Sequence, residues 1–458
     1  MMRRLLAAAA FVLAVLPALY LIAPVPARAA DIKNIDLGKQ AQVWFAEDHT
    51  VPIISFNISL PAGAAYDPGA KPGLASFAAS MMDEGAGNLD SAAFHRAVAA
   101  RAIQFSARAE RDYTVISITA QSADAGEALR LLQLALHQPR FDAEPLARVR
   151  TQILQSLDQE SAQPEQVAAK GFMRAFFNGH TYGHPTDGEP QGIAAITQGD
   201  LKTFARSHWV KNGLKIAVAG DISQDAITKL LGQTFAPLPG TAPQPPPDVG
   251  RLGSPGTHLA PMAVPQPNAV FGLPGVMRAD PDFLAAYVAN YILGGGGFSS
   301  RLMTEVREKR GLTYGINTGI NPFNKASVWV GQVATRADAI NQTMDVVRQT
   351  MRDFAAKGPT QAELDDAKTF LTGSFPLAFD SNAGTAAQLG TYQRQGLDAG
   401  YVAHRNALIQ AVTLADVRRV AKRVFDPARL TVLVAGSPAG TPPPAPKPVD
   451  KPAPPAKP

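Results

Sequence analysis

The sequence predicts an α+β protein of two homologous domains, each a mostly antiparallel sheet with helices packed on one face. Three observations lead there. Residues 196–220 read ITQGDLKTFARSHWVKNGLKIAVAG, and residues 412–436 read VTLADVRRVAKRVFDPARLTVLVAG. The two align without a gap, with Thr197, Asp200, Ala205, Leu214, Val218, Ala219 and Gly220 matched by Thr413, Asp416, Ala421, Leu430, Val434, Ala435 and Gly436. Such a match implies an internal duplication. Strand-like and helix-like segments also alternate in both halves, and a Pro-rich run, Pro237 to Pro247, falls near the middle of the chain as a linker.

Each element has its own justification. The duplicated stretch predicts a Thr-capped helix, a short loop and a buried strand (KIAVAG, LTVLVAG). VPIISFNISL, YTVISITAQ, NAVFGLP and VWVGQVAT alternate as half-buried strands do. ADAGEALRLLQLALHQ, DAINQTMDVVRQTMRDFAAKG and TQAELDDAKTFLTGSF have helical spacing. Strands with short turns, followed by long helices, give the layered class rather than a doubly wound one.

The termini place the chain in a cell. Arg3 and Arg4 precede an apolar run from Leu5 to Ile22, and Ala27-Arg28-Ala29 is a small-residue cleavage site. This predicts a signal peptide cut after Ala29 and a soluble, periplasmic product. Pro17, Pro24 and Pro26 argue against an uncleaved spanning helix, and no membrane span is expected after cleavage. The ending TPPPAPKPVDKPAPPAKP predicts an extended, disordered tail. The expected division is a signal peptide at 1–29, domains at 30–235 and 251–437, a linker at 236–250 and a tail at 438–458.

Composition removes several function classes. The 458 residues are too many for one core. A net charge of +5, part of it in the tails, gives no clustered basic face, so no nucleic-acid partner is expected. With no cysteine there is no disulfide, thiolate nucleophile or Cys-ligated zinc.

The segment GGGGFSSRLMTEVREKRGLTYGI, from Gly294, concentrates unusual residues. The glycines lack the Lys-Ser or Lys-Thr of a phosphate loop, and the preceding PDFLAAYVANYIL has helical spacing, not that of a strand. They fit a sharp turn or a close backbone approach. SSRLMTEVREKR predicts a short helix capped by Ser299 or Ser300, with Leu302, Val306 and Met303 inward and Gly311 at its left-handed end. Arg307 then falls in its last turns and Tyr314 at the base of the next strand. On residue chemistry alone, a solvated helix end with a core tyrosine explains both.

Metal and nucleophile motifs are missing. None of the eight histidines forms H-E-x-x-H or H-x-x-E-H, the spacings that put two imidazoles on one helix face. His180 and His184 are four apart, but Gly183 and Pro185 make a turn the expected structure. There is no G-x-S-x-G, and the neighbouring acids Asp83-Glu84 and Asp365-Asp366 point apart on a helix.

The whole layout resembles the insulinase/pitrilysin family of zinc metallopeptidases. LPAGAAYDPGAKPGLASF, NGHTYGHPTDGEPQGIAAIT and KIAVAGDIS carry the resemblance in the first half; the Gly294 segment and LTVLVAG carry it in the second. The family's H-x-x-E-H helix falls on GLASFAASMMDEG, where Ser76, Ala79 and Ser80 stand in place of the first His, the catalytic Glu and the second His. Gln152 or Gln155 falls where the family has its downstream glutamate ligand. The resemblance therefore implies no catalytic zinc in this chain. It also implies that Arg307 and Tyr314, seven residues apart as in the family, hold a substrate backbone and its developing oxyanion. Gly294, Gly295, Gly296 and Gly297 become candidates for a substrate contact or a hinge.

Some members of the family split the work between two chains, one with H-x-x-E-H and one without, and this sequence resembles the second kind. The expectation is half of a clamshell chamber, closed by a zinc-bearing homologous subunit in a heterodimer that cleaves peptides, with no activity of this chain alone. The alternative is a structural or peptide-binding subunit of the same fold.

Overall fold

The duplicated stretch folds the same way twice. In a computed structural model, which describes residues 31–241 and 243–437, Thr197 caps the helix Gln198–His208 and Thr413 caps the helix Leu414–Val424. Each threonine accepts from the backbone N–H of an aspartate three residues on, Asp200 or Asp416, whose carboxylate reaches back to the cap nitrogen. This reciprocal box satisfies two N–H groups that a helix start leaves unpaired. The first of the strands that follow ends on Gly220 (φ +140°) and the second is followed by Gly436 (φ +132°), a backbone that favours glycine.

The strands form two sheets of matching topology. In chain order they are β1 (Ile32–Ile35), β2 (Ala41–Glu47), β3 (Ile53–Leu60), the short pair β4 (Gly85–Ala86) and β5 (Leu89–Asp90), β6 (Gln104–Ala109), β7 (Thr114–Gln121) and β8 (Leu214–Gly220) in the first half. The second half has β9 (Gly256–Ala260), β10 (Asn268–Pro274), β11 (Ile316–Pro322), β12 (Ser327–Ala334) and β13 (Thr431–Ala435). The first sheet runs β1-β2-β8-β3-β7-β6 and the second β11-β12-β10-β13-β9. Apart from the extra β1, the order is the same. One parallel pair (β2 with β8, β9 with β13) leads into antiparallel neighbours in each sheet. The duplication is thus visible in strand pairing as well as in sequence.

Helices cover one face of each sheet, as expected. Ile54, Phe56, Ile58 and Leu60 of β3 meet Leu74, Phe77, Leu129 and Leu132 of the first-half helices. Ala269, Phe271 and Leu273 of β10 meet Val347, Met351, Val417 and Val420 in the second half. The alternating strands were expected to be half-buried, yet β3 is buried on both faces from Ile54 to Leu60. The reason is an exchange of helices. Asn382–Arg394, from the second half, lies on the other face of the first sheet, where Arg394 donates to Asn57 and Ser59 (3.0 Å each) and Gln393 donates to the carbonyl of Ile216 (3.0 Å). Pro164–Phe177, from the first half, covers the second sheet, with Phe172 and Phe176 against Val270, Val328 and Leu433. The strands' outward residues follow this division: Ser55, Asn57 and Ser59 meet a polar helix, whereas Val270 and Leu433 meet an aromatic one.

A third link joins the halves. Asp112 accepts from the Tyr182 hydroxyl and from the backbone N–H of Asn324 (2.9 Å), in the turn between β11 and β12. The described residues from Ile32 to Ser437 accordingly belong to one compact unit. Residues 239–241 and 243–250, within the expected linker, contain no helix or strand. The predicted signal peptide at 1–29 and tail at 438–458 lie outside the described residues. Among the described residues no helix is long and apolar enough to cross a membrane.

Candidate functional site

The helix predicted to descend from a zinc motif spans Leu74–Ser80, and its start is firmly held. Gly73 adopts φ +98°, and a Cβ there would lie 2.7 Å from the Gly188 Cα, so only glycine fits. The buried Asp67 carboxylate accepts from the N–H of Gly73 (2.7 Å) and of Ala75 (2.8 Å), capping the helix from a distance. Burial pushes the Asp67 carboxyl up to about 7, against the pull of these two bonds and of Arg111. Leu74, Phe77 and Ala78 anchor the helix in the core.

Its other face is chemically mute. Ser76 and Ser80, one turn apart, are part-exposed beside the buried Ala79. None of the three is a zinc ligand type: hydroxyls stay protonated at neutral pH, and alanine offers no lone pair. The helix Ala143–Ser161 packs alongside, with Arg150 5.6 Å over the Phe77 ring. Gln152 and Gln155 are exposed on it, and their neutral amides do not replace a carboxylate ligand.

Among the described residues, one set of ligand-type atoms does converge, Asp83, Glu84 and His95, just beyond this helix. Its place for a cation is taken. Burial pushes the Glu84 carboxyl up, but bonds from Arg148 and Ser91 outweigh this and hold it below the ordinary range. His180 is also engaged at both nitrogens, by the N–H of Tyr182 (3.0 Å) and the carbonyl of Pro247 (2.9 Å), which is the turn expected there. The residues present do not fit a catalytic zinc ion.

The second half places Arg307 and Tyr314 at the surface. The predicted short helix forms, with Ser300 as the residue whose hydroxyl accepts from the N–H of Met303 (3.4 Å), and Leu302, Met303 and Val306 face inward. It is not α-helical throughout. Met303–Glu308 is a π-helix, closed by a bond from the Lys309 N–H to the Thr304 carbonyl (3.0 Å). Such a turn carries about one residue more than an α-helical turn, and Arg307 lies within it. Gly311 (φ +60°) ends the segment as expected, and the Leu312 N–H bonds back to Val306 (3.0 Å). Tyr314 follows in a loop two residues before β11, pinned by a bond from Thr313 to the Ala334 carbonyl (2.7 Å), and is 89% exposed. Among the described residues neither the Arg307 guanidinium nor the Tyr314 hydroxyl has a hydrogen bond or ion pair.

The glycine run sits beside them and has packing reasons of its own. Tyr291–Gly295 is a second π-helix. A Cβ on Gly294 would lie 2.5 Å from Thr318 Oγ1, and one on Gly295 2.6 Å from Asn290 Nδ2. Gly296 is pressed on Tyr291, while Gly297 turns at φ +57° with nothing near it. The loop then presents Phe298, 64% exposed, whose ring lies 4.6 Å beneath the Arg307 guanidinium.

Comparison with known proteins agrees with this arrangement. Residues 42–189 match the model of insulinase (peptidase family M16), and residues 195–371 that of the peptidase M16 inactive domain. A crystal structure described as a peptidase M16 inactive domain from Pseudomonas fluorescens is 30% identical, with a TM-score of 0.84 over 90% of this chain and 99% of that one. The chain belongs to the insulinase family. Within that family it resembles the non-peptidase homolog YmxG of Helicobacter pylori, 26% identical over 336 residues (73% of this chain, 78% of the relative). An uncharacterized zinc protease of Mycobacterium tuberculosis strain H37Rv is 27% identical over 322 residues (69% of this chain, 72% of the relative). A protease from Helicobacter pylori shares the fold at 18% identity, with a TM-score of 0.80 over 89% of this chain and 99% of that one. The chain is thus a zinc-less insulinase-family member.

Some features of the site had no visible signal in the sequence. The two π turns are invisible to residue propensity, which sees only a helix former in a helical pattern. Phe298 reads as one more apolar residue until its contact with Arg307 is known. Asp67 is six and eight residues before the two nitrogens it caps, outside the spacing of an ordinary cap.

Proposed function

We propose that this chain is the non-zinc-binding subunit of a periplasmic heterodimeric metallopeptidase. A homologous partner bearing H-x-x-E-H would hold zinc, and this chain would supply Arg307, Tyr314 and half of a closed chamber. One observation carries the reading. The helix expected to match the zinc motif carries Ser76, Ala79 and Ser80 and no ligand, whereas the Arg307 guanidinium and the Tyr314 phenol make no hydrogen bond or ion pair among the described residues, and Arg307 lies in a π turn. Such turns are uncommon and are frequent at functional sites. Aimed at a peptide carbonyl in a water-poor chamber, both groups would stabilise the negative charge of a tetrahedral intermediate.

The test measures hydrolysis of unstructured peptides by this chain, by an exported H-x-x-E-H homologue, and by the two together. Activity that needs both chains supports the reading. A homologue equally active alone sinks it, and favours a structural or peptide-binding subunit. That second reading draws support from the name of the Helicobacter pylori relative, a non-peptidase homolog.

A further inference from the structure

We infer that Phe298 is a positioning residue for Arg307, and that the glycine run sets its place. The inference rests on the proposed role of Arg307 and concerns how that side chain is presented. Among the described residues, the Phe298 ring is the one side-chain partner the Arg307 guanidinium has, at 4.6 Å. An arginine held over an aromatic face keeps its N–H groups for another acceptor while losing much of its freedom to swing.

The loop is built to fix that ring. Gly294, Gly295 and Gly296 lie too close to Thr318, Asn290 and Tyr291 for any side chain, so the base of the loop is seated against β11 and the preceding helix. Gly297 is the one glycine of the run in the left-handed region, and it has open space around it. Past the Gly297–Ser299 turn, the buried Ser300 closes the loop: its hydroxyl donates to the Gly297 carbonyl (2.8 Å) and accepts from the Met303 N–H at the start of the π turn. Phe298 is therefore held between a rigid base and the segment that bears Arg307.

The kinetic test uses this chain with its exported H-x-x-E-H homologue on a fluorogenic unstructured peptide. Phe298→Leu should lower kcat about two- to fivefold, the range of an exposed cation–π contact, with KM changed less. Phe298→Tyr should restore it, and in an Arg307→Ala background Phe298→Leu should add nothing. If Arg307→Ala has no effect, the proposed function fails and this inference with it. If Arg307→Ala lowers kcat but Phe298→Leu does not, or acts equally in both backgrounds, Phe298 has no positioning role and the role of Arg307 stands. A second arm needs no partner. Trp44, Trp209 and Trp329 are buried, so in the full-length Phe298→Trp chain acrylamide quenching reports on position 298. Quenching should rise when Arg307→Ala is added, and an unchanged value overturns the contact.

Discussion

Gly390 lies so close to Asn57 that a Cβ on the glycine would sit 2.1 Å from the Asn57 Oδ1. The two belong to opposite halves of the chain: Gly390 to the helix Asn382–Arg394, Asn57 to β3. Asn57 cannot simply turn away, because its Oδ1 also accepts from Arg394 at 3.0 Å. Gly390→Ala would gain about 1 kcal/mol of helix propensity. Overpacking would cost about 1–3 kcal/mol, and displacing Asn57 loses a charge-assisted bond worth about 1.5–3 kcal/mol. The expected outcome is a net loss of stability of about 1.5–5 kcal/mol, read as a lower urea midpoint. A midpoint that rises would mean the helix stands off the sheet further than described.

The exchange of helices predicts how the whole chain unfolds. Each half lends one helix to the other's sheet, so neither sheet is covered on both faces by its own half. Calorimetry should give a single transition for the mature chain. Residues 30–235 expressed alone should expose the Ser55–Asn57–Ser59 face and fail to give a sharp transition; adding residues 251–437 should restore one. Two separable transitions would mean that the exchanged helices contribute little to either core.

The duplication was legible because it lies in local signals: a Thr–Asp capping pair, an apolar strand and a final glycine, repeated at Thr197 and Thr413. The absence of H-x-x-E-H was legible because that motif is a local spacing, and Ser76, Ala79 and Ser80, expected in its place, do share one helix. The exchange was not. Strand alternation in VPIISFNISL distinguishes an apolar from a polar face, but a polar face covered by a polar helix looks the same as one facing water. The residues that would have revealed it, Asn57 and Arg394, are 337 positions apart. The π-helical winding of Met303–Glu308, which bears Arg307, was hidden for a different reason: no residue type demands it.

Asp67 gives stability a pH dependence of known sign. Its folded carboxyl is raised to about 7 by burial, above the ordinary value near 4 for an unfolded chain. The folded state therefore binds the proton more tightly. The stability this contributes is full below about pH 4 and is lost as pH rises through about 7. Asp67→Asn removes the titration and keeps a carbonyl acceptor for one of the two capped N–H groups. The wild type should lose stability relative to the variant between pH 5 and 7, with a slope of at most about 1.4 kcal/mol per pH unit. Melting temperatures of both proteins across that range make the comparison. Parallel curves would show that the two capping bonds and Arg111 hold the carboxylate ionised throughout.

Arg307 and Tyr314 should separate stability from activity. Tyr314 is 89% exposed, and Arg307 is half-buried with its guanidinium over the Phe298 ring. Neither hydroxyl nor guanidinium leaves a buried partner behind when removed. Arg307→Ala and Tyr314→Phe should each change folding stability by no more than about 0.5 kcal/mol, the range of ordinary surface substitutions. In the mixture with the H-x-x-E-H homologue, loss of one charge-stabilising donor should lower kcat by about 10²–10³. The contrast matters because a structural residue behaves the other way. A side chain kept for packing loses stability first and activity only through unfolding, so its activity recovers under conditions that refold it. The decisive comparison is therefore kcat at a temperature well below the melting point of every variant, with complex formation checked by sedimentation. A large loss of kcat with an intact complex and an unchanged melting temperature assigns both residues to the chamber of the enzyme. Unchanged kcat makes them remnants, exposed because nothing in this chain or its partner uses them.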